Sequence, residues 1–502
     1  MTLGWLQLVQ EGTSMTEATV SERGSGGVKD VVIVGAGIAG LAAAWALRDR
    51  DVLVLEAEEL VGGRVKSEPR GDYWLSVGAH MFPASGSVVD GLVQEMGLET
   101  LPIHGSLLGI AYRGKIVIGS RAETYPFRLR MSPAGRLSFI RTGLKMRAAA
   151  KKYSKLAVQR PGETASDVRA RVLAFLGDVS FSEFVGRLHP DAESIFLATA
   201  NRLTAEPDQV SAGCMASLFA HVWSEGGVVL ARSLKGGAGE LPKCLANALG
   251  NRVVVGAEVR DVAKEDGLVR VRYATRDGEE EVVARTAVVA TTSDVTRRIV
   301  RELPDETAEA LDRITYGPMV VASILTNETR PMPWDSVYSV LTPGKSFNMF
   351  FNHASALRAP GSERRPGGTL MVYGGAGLAR RLFELSDDAI RDTMLADLHD
   401  LYPETRKIVE DVLVQRWTHT VPYASPGRHL VQKALEQRVH DSIALAGDYI
   451  GAWTDMESAA TTGIEAAEKV RAVLPKTDRP RTSRGSDETT TPTAPQTHTT
   501  RR

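Results

Sequence analysis

The sequence predicts an α/β fold made of two parts, one of which is discontinuous along the chain. Three observations lead to this expectation. At 502 residues the chain exceeds the size of a single hydrophobic core. Strand and helix signals alternate in residues 30–59, and a series of strand signals follows in residues 251–292. A strand end followed by a helix of small residues comes much later, in residues 446–467.

Each of these segments has a local signature. Residues 30–59 have the pattern of a strand, a glycine turn, a helix and a second strand. In residues 251–292, the pairs Asp266-Gly267 and Asp277-Gly278 are hairpin signals, so we expect a β-meander. Its last strand, TAVVAT, is continuously apolar and suits a central position in a sheet. Residues 385–403 have helical spacing with acidic residues in the first turn.

Composition excludes several classes of function. Hydrophobic residues make up 43% of the chain and charged residues 24%, as in ordinary globular proteins. The net charge of -1 provides no overall attraction to nucleic acid, and we predict no nucleic-acid partner. Cys214 and Cys244 form no CxxC pattern and the histidines show no metal-ligand spacing, so we predict neither a disulfide framework nor a metal site.

The two ends of the chain are predicted to be disordered tails, residues 1–28 and residues 475–502. The first tail lacks the basic start and apolar core of a signal peptide. The longest apolar run, residues 31–47, is interrupted by glycines and is better explained as a strand, a turn and a helix than as a membrane span. These features predict a cytoplasmic protein.

A basic segment, residues 124–162, contains no acidic residue and has apolar residues between its cations. It is predicted to be an amphipathic helical region with two functional interpretations, a peripheral contact on the inner face of a membrane or a gate for an anionic substrate. The alternative is a solvated helix face whose charge is balanced elsewhere. The basic residues are Arg128, Arg130, Arg136, Arg141, Lys145, Arg147, Lys151, Lys152, Lys155 and Arg160.

A glycine motif follows the first strand. Gly35 permits a tight turn, Gly37 lets the backbone approach a pyrophosphate, and Gly40 allows the helix to pack on the strand. Glu56 ends the second strand at the distance where a carboxylate binds the ribose of an adenosine moiety. The context predicts a dinucleotide site but does not separate NAD from FAD. The following sequence Gly62-Gly63-Arg64 offers a second exposed backbone and a guanidinium, which fits a cofactor extending beyond ADP.

The blocks GAGIAGL and LEAEELVGGRV together resemble the FAD-binding start of the flavin amine oxidase, phytoene desaturase and protoporphyrinogen oxidase superfamily. Residues 74–82, 234–249 and 446–467 are similar to later blocks of the same superfamily. The resemblance implies a Rossmann-like FAD-binding domain, discontinuous in sequence, with an α+β substrate domain. The expected FAD-binding domain comprises residues 29–115, 230–300 and 410–474, and the expected substrate domain comprises residues 116–229 and 301–409.

The resemblance also implies a set of cofactor-binding residues. The backbone of Val259 would meet the adenine, Asp448 would hold the ribityl or pyrophosphate side, and the helix start at Met456 would face the flavin pyrimidine. The whole implied FAD site is Gly35, Ala36, Gly37, Ile38, Ala39, Gly40, Glu56, Ala57, Gly62, Gly63, Arg64, Gly78, Ala79, Val259, Gly447, Asp448, Asp455 and Met456.

Departures from the amine oxidases of this superfamily bear on the chemistry. Those enzymes usually hold a lysine near the flavin, whereas strand residues 314–326 place Val321 or Ala322 there. Asp455 replaces the aromatic residue expected before Met456. Three aromatic residues could rebuild part of an amine cage or could simply be core residues, namely Trp417, Tyr423 and Trp453.

We therefore expect FAD-dependent dehydrogenation of a bulky, largely apolar small molecule, as in desaturases or protoporphyrinogen oxidases. Two alternatives stay open: an amine oxidase with an atypical pocket, and a non-catalytic partner protein stabilised by FAD. No catalytic residue can be assigned, and four residues are pocket candidates only because they flank superfamily motifs: His80, Glu225, Arg232 and His419. Residues 371–382 imitate a second dinucleotide loop but lack its third glycine, so we predict a sheet strand and turn.

Overall fold

In the computed structural model of the protein, the described residues are 27–82, 85–119, 121–222 and 232–475. The two predicted tails lie outside this part of the chain, apart from the residues at their inner boundaries. The chain forms two large sheets, and a group of helices covers one face of the second sheet.

The strands are β1 (Lys29–Val34), β2 (Val52–Leu55), β3 (Ser67–Arg70), β4 (Tyr73–Ser76), β5 (Thr100–Pro102), β6 (Gly109–Tyr112), β7 (Lys115–Ile118), β8 (Arg232–Leu234), β9 (Val253–Val254), β10 (Glu258–Glu265), β11 (Leu268–Thr275), β12 (Gly278–Val289), β13 (Thr315–Thr326), β14 (Ser339–Leu341), β15 (Met349–Asn352), β16 (Gly368–Gly375), β17 (Val409–Tyr423) and β18 (Ile443–Leu445).

The helices are α1 (Ile38–Ala46), α2 (Val88–Glu95), α3 (Tyr125–Arg128), α4 (Pro133–Leu156), α5 (Ala165–Ala174), α6 (Phe181–Val185), α7 (Pro190–Ala200), α8 (Ala212–Val222), α9 (Glu240–Leu249), α10 (Ser293–Ile299), α11 (Asp305–Asp312), α12 (Gly377–Phe383), α13 (Asp387–Leu401), α14 (Gln432–Glu436) and α15 (Met456–Arg471).

The first sheet carries the dinucleotide motif. Its strand order is β10-β11-β12-β1-β2-β9, and β18 pairs with β12. The predicted meander is present as β10, β11 and β12, with its first turn at Asp266-Gly267 and its second at Arg276-Asp277, so that Gly278 already belongs to β12. The apolar end of β12 lies between β1 and β18, both parallel to it, which confirms the predicted central position.

The second sheet has the order β17-β13-β16-β15-β14-β6-β7. Along β13 the side chains alternate between two cores, one shared with α13 and one shared with α3 and α7. The predicted division of the chain needs a correction here, because β6 and most of β17 were assigned to the FAD-binding part. Both strands instead pair within the second sheet, since their apolar faces complete its two cores.

A helical layer between residues 125 and 222 covers the second sheet. Its longest element is α4, a helix of 24 residues that coincides with much of the predicted basic segment. Ser132 caps α4 by accepting a hydrogen bond from the backbone N–H of Gly135, and α4 packs against α7 and α8. Among the described residues, none of the helices combines the length and apolarity needed to cross a membrane.

Candidate active site

The glycine turn between β1 and α1 forms an open cradle. Gly35 has a φ of +97°, which L side chains rarely adopt, and so permits the turn. A Cβ atom at Gly37 would meet no protein atom within 4 Å, so the backbone at the start of α1 faces open space. A Cβ atom at Gly40 would lie 1.9 Å from the carbonyl oxygen of Gly35, so α1 needs glycine there to pack on the strand. Ala36, Ile38 and Ala39 lie between these three glycines in the chain.

A second glycine turn lies opposite the first. Gly62 donates its N–H to the carbonyl oxygen of Ala36 at 2.9 Å, which joins the two turns. Gly62 and Gly63 have φ values of +110° and +53°. A Cβ atom at Gly63 would lie 3.6 Å from the Cα atom of Gly37, so a side chain there would begin to fill the cradle. The backbone groups of both turns therefore border the same space.

Glu56 lies at the rim of this cradle, with Ala57 next in the chain, and its contact with a ribose stays a prediction. Its Oε2 atom accepts a hydrogen bond from the backbone N–H of Ala36 at 2.6 Å, and Oε1 accepts one from Glu58 at 3.0 Å. Burial raises the pKa of Glu56, and the two backbone hydrogen bonds oppose that rise. The carboxylate is thus fixed beside the turn, where its remaining lone pairs can accept hydroxyl groups.

Val259 lies near the same edge of the site. Ala257 donates its backbone N–H to the carbonyl oxygen of Glu56 at 2.7 Å, which places the start of β10 beside the end of β2. Val259 follows two residues later and is buried, just before an irregularity in the pairing of β10 with β11. Its contact with an adenine stays a prediction.

The early and late motifs meet through a partly buried ion pair. Arg64 and Asp448 are 384 residues apart in the chain, yet the Nη1 and Nη2 atoms of Arg64 lie 2.9 and 2.7 Å from the two carboxylate oxygens of Asp448. Arg64 Nη1 also donates to the carbonyl oxygen of Thr420, on β17, at 2.7 Å. Burial lowers the pKa of Arg64, but the charge of Asp448, the neighbouring Tyr316 and the hydrogen bonds to Asp448 together outweigh burial, and the net shift is upward. Sequence reasoning placed both residues at the site but did not predict their contact.

Residues 77–82 contact Arg64 on one side and the second sheet on the other. Ala79 donates its backbone N–H to the carbonyl oxygen of Arg64 at 3.0 Å. A Cβ atom at Gly78 would lie 2.1 Å from that same oxygen, so the close approach requires glycine. On the other side, the indole Nε1 of Trp417 donates to the carbonyl oxygen of Val77 at 2.7 Å. The indole of Trp417 is therefore tied to this segment, and its part in an aromatic cage stays a prediction.

The start of α15 forms the late end of the site. Asp455 accepts a hydrogen bond from the backbone N–H of Ser458 at 2.8 Å and caps the helix. The N–H groups of Met456 and Glu457 belong to the first turn, where helix geometry provides no intrahelical acceptor. The Glu457 carboxylate accepts the N–H groups of Val88 and Val89 at 2.7 and 2.9 Å, which fixes this end against α2. Gly447, at the end of β18, donates to Thr462 Oγ1 at 3.0 Å.

An apolar cavity of about 180 Å³ lies between the helical layer and the second sheet. Its walls come from α3, α4, α7, α8, β6 and β14, and the lining is almost entirely apolar. Phe139, Ile140, Ile195, Phe196, Leu218 and Leu341 are among its lining residues. Glu123 and Arg147 also line it and are paired at 3.5 Å, with about half of each side chain exposed. The sequence analysis named Arg147 only as a member of the basic segment and did not predict a cavity here.

The strand β13 carries no lysine. Val321 belongs to the core shared with the helical layer, together with Met319, Tyr373 and Trp417, whereas Ala322 points into the opposite core. The alternation of the strand therefore selects Val321, of the two predicted residues, as the one on the cavity side. A valine there can neither bind a proton nor donate a hydrogen bond.

Two predicted aromatic residues line a small separate cavity. Tyr423 and Trp453 share it with Cys214 and with the buried residues Arg428 and Tyr449. Burial raises the pKa of the Cys214 thiol to about 11, so the thiol is neutral at physiological pH. Burial lowers the pKa of Arg428 to about 10, while its Nη2 atom donates to the carbonyl oxygen of Tyr449 at 2.6 Å.

The four flanking candidates have different environments. Arg232 is paired with Asp90 at 2.6 Å and holds β8 against α2. His419 is partly exposed, with Nε2 at 3.7 Å from Asp294. His80 has a buried Nε2 atom, and its Nδ1 atom lies 3.2 Å from the carbonyl oxygen of Gly78. Glu225 lies outside the described residues.

Two further sequence-based expectations concern other parts of the chain. Residues 371–382 form the end of β16 and the helix α12, so the predicted strand and turn are followed by a short helix. Ala376, at the turn, has a positive φ of 55°, and Gly377 donates its N–H to Glu206 at 2.8 Å. Among the described residues, no group of three or more His, Cys, Asp or Glu side chains could hold a metal ion.

The donors and acceptors of the site fit FAD. The open backbone at Gly37 and the first turn of α1 suit a pyrophosphate, and Glu56 suits the ribose hydroxyls. The first turn of α15 has N–H groups without intrahelical acceptors, which would suit the pyrimidine edge of a flavin. This arrangement defines a flavin-dependent oxidoreductase of the α/β class.

Comparison with known proteins agrees with this class. The family model described as flavin containing amine oxidoreductase matches residues 38–471, and the chain belongs to that family. Chloroplastic protoporphyrinogen oxidase 1 of Spinacia oleracea is 24% identical over 486 residues, which cover 84% of this chain and 81% of that protein. Flavin-containing amine oxidase A of Bos taurus is 26% identical over 312 residues, which cover 59% of this chain and 56% of that protein.

Solved structures share the fold. Wild-type putrescine oxidase bound to putrescine gives a TM-score of 0.69 at 21% identity, covering 88% of this chain and 99% of that one. Cyclohexylamine oxidase from Brevibacterium oxydans IH-35A gives a TM-score of 0.70 at 18% identity, covering 89% of this chain and 99% of that one. The protein is therefore an FAD-dependent enzyme, which sets aside the non-catalytic alternative, and its particular substrate is a separate question.

Proposed function

We propose that the protein dehydrogenates a bulky, largely apolar small molecule. FAD, when bound, accepts the hydride equivalent that leaves the substrate. The observation that carries the proposal is the apolar cavity of about 180 Å³ between the helical layer and the second sheet. A cavity with this lining would desolvate apolar surface favourably, whereas it would bind a small charged amine poorly unless the charge were paired.

The residues around the cavity support dehydrogenation of a carbon skeleton over amine oxidation. Val321 stands on the cavity side of β13, where the amine oxidases of the superfamily usually hold a lysine. Asp455 caps α15 at the position where an aromatic residue is expected in the amine oxidases of the superfamily. The indole of Trp417 donates a hydrogen bond to the Val77 carbonyl oxygen. Tyr423 and Trp453 line a different, smaller cavity. The amine oxidase alternative would require a cage built from other residues.

Anaerobic reduction of the purified holoenzyme tests the proposal. We expect the flavin absorbance to bleach with polyenes or porphyrinogens and to stay oxidised with primary and secondary amines of similar size. Hydrogen peroxide release across a panel of amines, with no bleaching by the apolar compounds, would contradict the proposal and favour amine oxidation. Reduction by dithionite serves as the control that the flavin is accessible and competent.

We also propose that the apolar substrate reaches the cavity from a membrane surface. Phe127, Leu137 and Leu144 are 69%, 68% and 62% exposed, and Phe127 and Leu144 also line the cavity. Exposed basic residues adjoin them on α4, including Arg141 and Lys145. Apolar side chains flanked by cations suit the headgroup region of an anionic bilayer.

Liposome sedimentation at two ionic strengths tests the membrane contact. We expect binding to anionic vesicles that weakens with salt, and a further loss of at least threefold in Leu144→Ser, since one inserted leucine contributes about 1 kcal/mol when partly buried. Leu430→Ser is the matched control, because Leu430 is also 68% exposed but lies outside the basic segment. Equal loss in the two variants, or equal binding to uncharged vesicles, would contradict the proposal.

A further inference from the structure

A glycine of α4 lines the apolar cavity although protein packing does not require it. Gly143 lies in the middle of α4 and belongs to the cavity lining. A Cβ atom added there would meet no protein atom within 4 Å apart from the adjoining helix backbone. The backbone of α4 therefore faces open space at this position.

The neighbours of Gly143 on the helix show that this open space is the cavity. Ile140 and Arg147, three residues before and four residues after Gly143, lie on the same face of the helix, and both line the cavity. Arg147 is paired there with Glu123 at 3.5 Å. A side chain at position 143 would therefore extend into the cavity beside Ile140 and Arg147.

Glycine is unfavourable inside a helix unless a close approach requires it. It makes folding about fivefold less favourable than alanine does, which corresponds to about 1 kcal/mol. At Gly213 of α8 and Gly463 of α15, a Cβ atom would lie 1.9 and 2.1 Å from a backbone oxygen of a neighbouring segment, so packing explains both glycines. Packing within the protein does not account for glycine at position 143, whereas the close approach of a ligand does.

Phenylalanine rings form another part of the cavity lining. The ring centroids of Phe139 and Phe196 lie 5.4 Å apart, and those of Phe196 and Phe219 lie 6.0 Å apart. The three residues come from α4, α7 and α8, and all of them line the cavity. Because aromatic side chains pack favourably against the faces and edges of other unsaturated rings, this lining suits a ring system.

We propose that Gly143 is a specificity-determining residue, against which the widest, ring-containing part of the bulky apolar substrate lies. The inference rests on the proposed function and deepens it, since it names the position that limits the width of the substrate. Glycine lets the substrate contact the backbone of α4 directly. A side chain at this position narrows the cavity, and overpacking of a filled site is unfavourable even when a single methyl group is added.

Titration of the holoenzyme with pyrenemethanol and decanol tests the proposal. The two alcohols share a hydroxyl group, but the first carries a rigid fused-ring system and the second a flexible chain. We expect wild-type protein to bind both. Gly143→Ala should lose at least about fivefold in affinity for pyrenemethanol, and Gly143→Leu at least about twentyfold. The affinity of Gly143→Ala for decanol should change less than twofold, because the chain can bend around a methyl group.

The stability of the same variant separates a steric effect on the ligand from damage to the fold. Urea titration of the Gly143→Ala apoprotein should show that folding is about fivefold more favourable than in wild type, because alanine is the better helix former and the added methyl group meets no protein atom. Ile140→Ala in the Gly143→Ala background should restore part of the affinity for pyrenemethanol, since it returns space on the same helix face.

Gly91→Ala is the matched control. Gly91 lies inside α2, and a Cβ atom there would also meet no protein atom within 4 Å apart from the adjoining helix backbone, but Gly91 lies outside the cavity lining. Gly91→Ala should stabilise the apoprotein by a similar factor and change the affinity for either alcohol less than twofold.

Several results would overturn the proposal: unchanged pyrenemethanol affinity in both Gly143 variants, an equal loss in Gly91→Ala, a lower stability of Gly143→Ala, or no binding of pyrenemethanol by wild-type protein. Anaerobic reduction is measured in the same samples. If apolar substrates reduce the wild-type flavin and Gly143→Ala keeps the same preference among them, the specificity role alone is refuted. Failed reduction of the wild-type flavin by apolar compounds refutes the proposed function, whatever the pattern of probe binding.

Discussion

Gly37→Ala separates binding of the cofactor from folding of the domain. Gly37 lies at the N-terminus of α1 with φ and ψ of -69° and 174°, which any L residue can adopt. A Cβ atom there would meet no protein atom within 4 Å. The added methyl group would therefore enter only the space that we assign to the FAD pyrophosphate.

The expected magnitudes follow from these contacts. Replacing glycine by alanine in an allowed conformation changes the free energy of unfolding by less than about 1 kcal/mol. Flavin affinity should fall by at least tenfold, which corresponds to about 1.4 kcal/mol, because the methyl group would displace a phosphate from its backbone donors. The apoprotein should thus unfold normally while the purified protein loses its yellow colour.

Gly40→Ala is the matched control three residues along the same turn. Its Cβ atom would lie 1.9 Å from the Gly35 carbonyl oxygen and 3.3 Å from Ala290 Cβ, so α1 would have to move away from β1. Overpacking of this kind costs about 1–3 kcal/mol. We expect Gly40→Ala to lower the stability of the apoprotein and the retention of flavin together.

The assay combines two measurements on each variant. The ratio of flavin to protein and the dissociation constant of FAD come from absorbance and from reconstitution of apoprotein. The free energy of unfolding comes from urea titration of the apoprotein. Stoichiometric flavin in Gly37→Ala with affinity within twofold of wild type would refute the placement of the pyrophosphate. If the free energy of unfolding of the Gly37→Ala apoprotein were as low as that of Gly40→Ala, the conclusion that the start of α1 faces open space would be refuted.

Three further changes test other parts of the reasoning. Asp448→Asn leaves the partly buried Arg64 guanidinium without its counter-charge, so urea unfolding should show a loss of about 2 kcal/mol and FAD reconstitution a weaker affinity; unchanged values for both would contradict the pairing. Asp191→Asn should lower stability by about 2 kcal/mol at pH 7, because burial raises the pKa of Asp191 but hydrogen bonds from Ser132 and other donors bring it down to about 2. A lowered pKa gives stability that is present above about pH 4 and is lost as pH falls toward 2, so the difference between variant and wild type should shrink by about 1 kcal/mol between pH 5 and pH 3, and a constant difference would refute the assignment. Gly463→Ala places a Cβ atom 2.1 Å from a backbone oxygen of α1 and should lower the melting temperature and flavin retention, whereas an unchanged melting temperature would show that the two helices can separate without penalty.

The sequence predicted those features that depend on local patterns. The strand and helix of residues 30–59 and the meander of residues 251–292 follow from apolar periodicity and from turn residues, and both are present. The central position of β12 was predictable because its end is continuously apolar. The basic residues of α4 were also evident, although their arrangement around a cavity was not.

Other features depend on contacts between distant segments and could not be predicted. The membership of β6 and β17 in the second sheet is decided by pairing with strands far away in sequence. The choice of Val321 over Ala322 depends on which face of β13 meets the helical layer, which the apolar run alone leaves ambiguous. His353, which follows β15, belongs to no sequence motif, and its buried ring nitrogens without a hydrogen-bond partner among the described residues became evident only from the fold.

We expect the predicted flavin end of the site to be formed before the cofactor binds, because the contacts that hold α15 are made between protein groups. Glu457 holds α2, Gly463 packs against Ala39 of α1, and Asp448 is fixed by Arg64 through two hydrogen bonds. Each contact joins the late segment to an element near the N-terminus, and none of them requires FAD. Because these groups are already ordered, binding of FAD loses little conformational entropy in this region. Hydrogen exchange of the apoprotein should therefore show strong protection across α15, and protection that develops only on addition of FAD would contradict a preformed site.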